Sequence, residues 1–167
     1  MQNSDEVDIY EKTAIVKKDN KLAIVPKDNI LLDTDGKLLK IKELDTDTLS
    51  KTFSVTNNTN EDLSYRVVIE KSDKSTLLTD YIKYQLSVDG TYIGPTWLND
   101  TLWKKDKIYN ELKVTKNNYI LLDGTIKKYE TKNISLILWT DYEKTPNAMQ
   151  NKQFLGTIKI YAWTKVK

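Results

Sequence analysis

The sequence predicts an all-β chain, an antiparallel β-sandwich with Greek-key character and roughly seven to ten strands. Three observations carry that expectation. Apolar and polar residues alternate with period two in several runs rich in β-branched and aromatic residues. Short turn signals separate the runs, among them Asp35-Gly36, Asp89-Gly90 and Asp123-Gly124. The length, 167 residues, suits one domain that buries a core without staples.

The clearest runs lie near the C-terminus, at Ile134–Thr140 and Phe154–Ala162. Ile134, Leu136 and Leu138 share one face of the first, and Phe154, Gly156, Ile158 and Ile160 one face of the second. A polar connection with Pro146 separates them, so they are expected to pair as adjacent antiparallel strands. Lys51–Thr56 and Leu63–Glu70 form a second clear pair of strands around the turn Asn57–Asp62. Phe53 and Val55, then Leu63, Tyr65, Val67 and Ile69, are their core residues.

The remaining elements follow in chain order. Residues 1–12 are acidic and read as an arm outside the domain, which then spans residues 13–167. Val7, Ile9 and Tyr10 would let that arm dock on a neighbour. Ala14–Val16 and Lys21–Val25 are expected as a small hairpin turning at Lys18-Asp19-Asn20. Asn29–Asp33 and Leu38–Ile41 flank the Asp35-Gly36 turn. Tyr81–Val88 is a strand with Tyr84, Leu86 and Val88 inward, and Thr91–Ile93 returns before Gly94-Pro95 breaks it. Leu112–Thr115 and Tyr119–Leu122 are short strands, and Asp123-Gly124 turns the chain into Thr125–Tyr129. Ile30–Asp33 and Ile120–Asp123 share the same four letters and each leads toward a strong strand, an echo consistent with equivalent places in two halves of a sandwich.

Composition removes several kinds of chemistry. The chain has neither cysteine nor histidine, which excludes disulfides, thiolate catalysis and Ser-His-Asp or Cys-His machinery. The 26 basic and 24 acidic residues nearly balance, so nucleic acid is not an expected partner. No apolar run is long enough for a membrane span, and the start, MQNSDEVDIYEK, lacks the apolar core of an export signal. No cofactor is expected. Asp33, Asp35, Asp45 and Asp47 are weak calcium candidates, since carboxylate oxygens suit that ion. Their spacing does not follow an EF-hand, and aspartates in turns also cap their own backbone.

Binding candidates come from the aromatics. Trp97, Trp103 and Tyr109 lie in a Lys- and Asp-rich segment of unclear period, either a short helix capped by Asn99 or Asp100 or a long loop. Such residues anchor interfaces, and they equally serve as lids over a core. Trp139, Tyr142 and Trp163 end the two C-terminal strands. Asp141 and Glu143 beside Trp139 have the makings of a glycosidase pair or a glycan site, and the plainer reading is a polar strand end. Lys127, Lys128 and Lys159 are expected to guard strand edges.

The segments Phe53–Asn58, Leu63–Tyr65, Leu136–Asp141 and Asn151–Ala162 together resemble Ig-like or camelysin-like β-sandwich proteins of low-GC Gram-positive bacteria and their phages. The resemblance covers roughly residues 50–162, apart from the Trp97–Tyr109 region. It implies an Ig-like or jelly-roll-type sandwich and a non-enzymatic structural module with protein partners. The chain departs from the cell-surface members in lacking a leading membrane segment, which favours a virion protein, capsid- or tail-associated. A carbohydrate-binding or adhesive module of the bacterial cell surface is the alternative.

Overall fold

A computed structural model describes residues 6–10, 12, 14–24, 49–141, 152 and 154–164. They form nine strands: β1 (Glu6–Ile9), β2 (Ala14–Ile24), β3 (Leu49–Asn57), β4 (Leu63–Lys71), β5 (Ile82–Val88), β6 (Thr91–Trp97), β7 (Asn118–Ile126), β8 (Thr131–Thr140) and β9 (Phe154–Thr164). One short helix, α1 (Lys107–Glu111), lies between β6 and β7. The strands make a five-stranded sheet, β1-β3-β8-β5-β6, and a four-stranded sheet, β2-β9-β4-β7.

The pairing is nested. β5 pairs with β6, β4 with β7, β3 with β8 and β2 with β9, all antiparallel. Successive pairs fall in alternate sheets. This is the order of a jelly roll, a long hairpin folded over on itself. β1 adds to the edge of β3 in parallel, so the larger sheet is mixed.

Alternation supplies the core. Phe53 and Val55 of β3, Leu63, Tyr65, Val67 and Ile69 of β4, and Ile82, Tyr84 and Leu86 of β5 all face inward and are buried. Ile134, Leu136 and Leu138 of β8 join the same cluster as Phe154, Ile158 and Ile160 of β9. The period-two runs therefore marked the buried faces correctly.

Partners were another matter. β8 and β9 do not pair: they lie in opposite sheets, and their apolar faces belong to one core between them. β3 and β4 are likewise split, and Asn57–Asp62 is an arch between sheets. Asn57, fully buried, holds it. Its Nδ2 donates to the carbonyls of Glu61 (2.8 Å), Ile126 (3.2 Å) and Lys127 (3.1 Å), and its Oδ1 accepts from Thr59 N (3.0 Å) and Oγ1 (2.7 Å). Alternation says which side of a strand is dry, and it is silent on which strand lies alongside.

Three turn expectations give way to continuous backbone, and one strand expectation gives way to a turn. Ala14–Ile24 is one strand along β9, where the residues between Lys17 and Lys21 form an irregularity instead of a hairpin turn. β6 runs through Gly94-Pro95, a cis peptide bond. The register between β5 and β6 slips there, and Gly94 takes φ +96, as a glycine in a bulge can. Proline is tolerated because β6 is an edge strand. β7 runs through Asp123-Gly124, with Asp123 opposite Arg66 and Gly124 opposite Tyr65. Leu112–Thr115 is the turn after α1 and not a strand.

The N-terminal arm also needs correction. Val7 and Ile9 are 3% and 0% exposed and belong to the core, because β1 completes the sheet beside β3. They cannot grip a neighbour, and residues 6–9 are part of the domain. Tyr10, 73% exposed, stays outside. Lys159 guards no edge: it sits on the internal strand β9, 3.0 Å from Glu70. The expected elements at residues 29–41, and one copy of the sequence echo, lie outside the described residues.

Gly156 marks the tightest packing. A Cβ there would meet Ile69 Cγ2 at 2.9 Å and Phe154 Cε2 at 3.0 Å. Gly156→Ala is expected to destabilise the fold by about 1–3 kcal/mol, as overpacking does. Urea unfolding measures it, and an unchanged midpoint would show that the core yields more easily than this geometry requires.

Candidate functional site

The two sheets turn very different outer faces to their surroundings. The chain between β6 and β7 crosses the outer face of the smaller sheet. After a 3₁₀ turn at Leu98–Thr101, Leu102 bridges to Tyr119 at the β7 edge. Trp103 then drops onto the sheet, 4% exposed, and meets Tyr161 edge-on at 5.0 Å and Tyr109 at 6.0 Å. Val68, Val114, Tyr109 and Tyr161 are buried with it, and Ile108, Leu112, Ile120 and Trp163 pack around them. This is a second apolar core, separate from the one between the sheets.

Arg66 and Asp106 organise that cluster. Arg66 lies over the rings of Trp103 (4.8 Å) and Trp163 (5.3 Å). Its guanidinium reaches Asp106 at 3.4 Å and Asp123 at 3.3 Å. Asp106 caps α1 through Tyr109 N (2.7 Å) and also accepts from the Trp103 indole N–H (3.2 Å). Burial alone would push Asp106 up. The Tyr109 amide, the Trp103 indole and Arg66 outweigh it and hold the carboxyl below its usual range. Burial, then Glu70 and Tyr109, raise Tyr161 to about 12. The Arg66–Asp106 pair ties the segment to the sheet.

Among the described residues, nothing covers the outer face of the larger sheet, and most of its central positions are polar. Facing outward along β3 are Ser50, Thr52, Ser54 and Thr56, and along β8 Thr131, Asn133, Ser135, Ile137 and Trp139. β5 adds Lys83, Gln85 and Ser87, and β6 adds Tyr92 and Trp97. At one end Trp97, Lys83 and Trp139 stand in register across three strands. Lys83 Nζ lies 4.7 Å from the Trp97 ring and 3.5 Å from Asp141 Oδ2. At the other end a shallow groove of about 470 Å³ is lined by Glu6, Thr52, Phe53, Ser54, Thr56, Thr131 and Asn133. Hydroxyls meet across the strands, Thr56 with Thr131 at 2.8 Å and Thr52 with Ser135 at 3.4 Å.

No family model matches the chain, and no curated protein matches it. One solved structure that resembles it is the functional form of the mosquito-larvicidal Cry4Aa toxin from Bacillus thuringiensis. The TM-score is 0.37 and the identity 12%, over 96% of this chain and 25% of the toxin chain. This chain thus spans about a quarter of that protein, and a likeness at this level carries nothing about function.

The aromatic candidates separate into two groups on opposite sides of the molecule. Trp103 and Tyr109 are buried in the second core and serve as packing, and Trp163, partly buried, packs against it. The expected helix begins later than Asn99, because Asp106 supplies the cap. Trp97 and Trp139 share the outer face of the larger sheet. Asp141 pairs with Lys83, while Tyr142, Glu143 and the four calcium candidates Asp33, Asp35, Asp45 and Asp47 lie outside the described residues. Among the described residues no group of three acidic side chains could hold a metal ion, and no helix is long and apolar enough to cross a membrane.

Residues that sequence reasoning passed over do much of the organising. Arg66 is the chain's one arginine among 26 basic residues, and that singularity was its signal. A planar guanidinium stacks on two rings and reaches two carboxylates, which an ammonium cannot do. Arg66→Lys is therefore expected to cost about 1–2 kcal/mol of stability. Urea unfolding followed by tryptophan fluorescence measures it, and wild-type stability would show the stacking to be incidental. A second prediction concerns acid. The folded state favours ionised Asp106, so its charge stabilises above about pH 4 and the gain is lost as pH falls through the lowered value. Asp106→Asn is expected to be less stable than wild type at neutral pH, with the gap closing in acid. A gap independent of pH would assign the effect to shape alone.

Proposed function

We propose that the chain is a non-enzymatic structural module, an assembly subunit of a virion, capsid- or tail-associated, or alternatively of a bacterial cell surface. The observation that supports this reading is the state of the sheet edges. Unpaired edge strands are templates for another strand, and proteins normally blunt them. The end of β7 is bridged by Leu102, with Trp103 N–H donating to Asn118 O. β1 is four residues long and carries Glu6 and Asp8. β2 contains Lys17, Lys18, Asp19 and Lys21 in sequence. β6 is different. Its seven residues, TYIGPTW, include no charge, its first five positions are exposed, and Ile93 is 40% exposed. Pro95 blocks only one position of the ladder.

An added strand would pair with Thr91–Gly94, the mode known as β-augmentation. The partner is a second copy or another protein of the same particle. Sedimentation equilibrium is expected to show a defined oligomer. Ile93→Lys, which places a charge at the middle of the edge, is expected to weaken association at least about tenfold. A wild-type chain that stays monomeric at high concentration and never co-sediments with particles or envelope would overturn the reading. Deleting residues 1–12 is not a clean test, because it removes β1 with Val7 and Ile9 from the core.

A further inference from the structure

We propose that the outer face of the five-stranded sheet is a binding site for a neutral, extended oligosaccharide. The chemistry of the face selects this ligand. Between the Lys83 row and Glu6, every outward position identified on β3, β5 and β8 is a hydroxyl, an amide or Ile137. A phosphate chain would call for lysine or arginine there. A protein interface of ordinary stability would call for an apolar centre. Hydroxyls and amides each donate and accept, which matches the mixed donors and acceptors of sugar hydroxyls.

Two aromatic residues border the path, and Trp139, which lies in it, gives a sugar's C–H face a place to stack. Tyr92, 72% exposed, stands opposite Ser87, which places it over the same outer face. Trp139 stands four residues further along this face, opposite Lys83. The two are about 13 Å apart along the strands and, with β5 between β8 and β6, about 10 Å apart across them. Trp97 is already engaged by Lys83, and Lys83 and Asp141 offset each other's charge. From Trp139 to Asn133 at the groove the face runs about 20 Å along β8. That is room for a tetrasaccharide along β8, with one ring over Trp139 and hydroxyls over Thr52 and Ser135, while Tyr92, two strands away on β6, flanks the row. A straight row of same-face positions suits an extended chain and not a coiled one.

The test is a titration of the full, isotope-labelled chain with cellotetraose and chitotetraose, with maltotetraose as the coiled comparator, followed by amide chemical shifts. Saturable shifts along β5, β6 and β8 with at least one extended probe are expected, with little or no response to maltotetraose. Trp139→Ala is expected to weaken binding about tenfold or more. Thr52→Val, which keeps the shape of the side chain and removes its hydroxyl, is expected to weaken it by a few fold, while Tyr10→Ala leaves it unchanged. No saturable shift at millimolar probe would overturn the proposal, as would shifts indifferent to both face substitutions. If Trp139→Ala instead dissolves the oligomer and no glycan binds, the face is a protein interface and the glycan site falls while the assembly reading stands.

Discussion

Every inner-facing strand residue must leave water, and the nested strand order decides where it goes. Burying a Val, Leu, Ile or Phe side chain is worth about 1.5–3 kcal/mol, whereas an exposed ion pair such as Lys107–Glu111 is worth about 0–1. The core between the sheets therefore dominates, and its geometry follows from alternation on both sheets at once. A chain that pairs β5 with β6, then β4 with β7, then β3 with β8, must cross from sheet to sheet at every step. The crossings at the sandwich ends are consequently structural. Asn57 shows how: one buried amide closes three carbonyls from two segments far apart in sequence, tying the arch after β3 to the end of β7.

The outer faces are where the two sheets diverge. An apolar outer face must be covered, and the smaller sheet has one in Val68, Ile120 and Tyr161. The excursion between β6 and β7 supplies the cover, and Arg66 bridges the aromatic and acidic groups that hold it down. On the larger sheet the central outward positions of β3, β5 and β8 are hydroxyls and amides apart from Ile137, and among the described residues nothing covers them. These small groups on central strands leave a broad flat surface, with charge confined to its ends. The division separates tasks: one outer face adds to stability, and the other can change side chains with little effect on the core.

Much of the fold was legible because period-two patterning reports burial directly. The inner residues of β3, β4, β5, β8 and β9 were all readable from alternation. What alternation cannot report is pairing. The β8 and β9 runs look like a hairpin in sequence because both are strong and consecutive, yet consecutive strands in a jelly roll usually change sheets. The turn signals misled for a related reason. Asp123-Gly124 and Gly94-Pro95 are turn-like locally, but Gly124 lies under the Tyr65 ring and Gly94 relieves a bulge. A glycine in a strand serves close approach as well as reversal.

The candidate site was half legible for a similar reason. Tryptophan content pointed to three segments, but a tryptophan's task depends on which face it lands on. Trp103 and Trp163 reach a face that also presents Val68, Ile120 and Tyr161, so packing and the Arg66 contacts use both rings. Trp139 reaches a face where Lys83 stands opposite it, Ile137, Gln85 and Ser50 lie beside it and Trp97 ends the row, and it belongs to neither apolar core. An aromatic outside both cores costs solvation without contributing to either, and that combination is what makes the larger sheet's outer face a better place to look for a ligand than the richer aromatic cluster opposite.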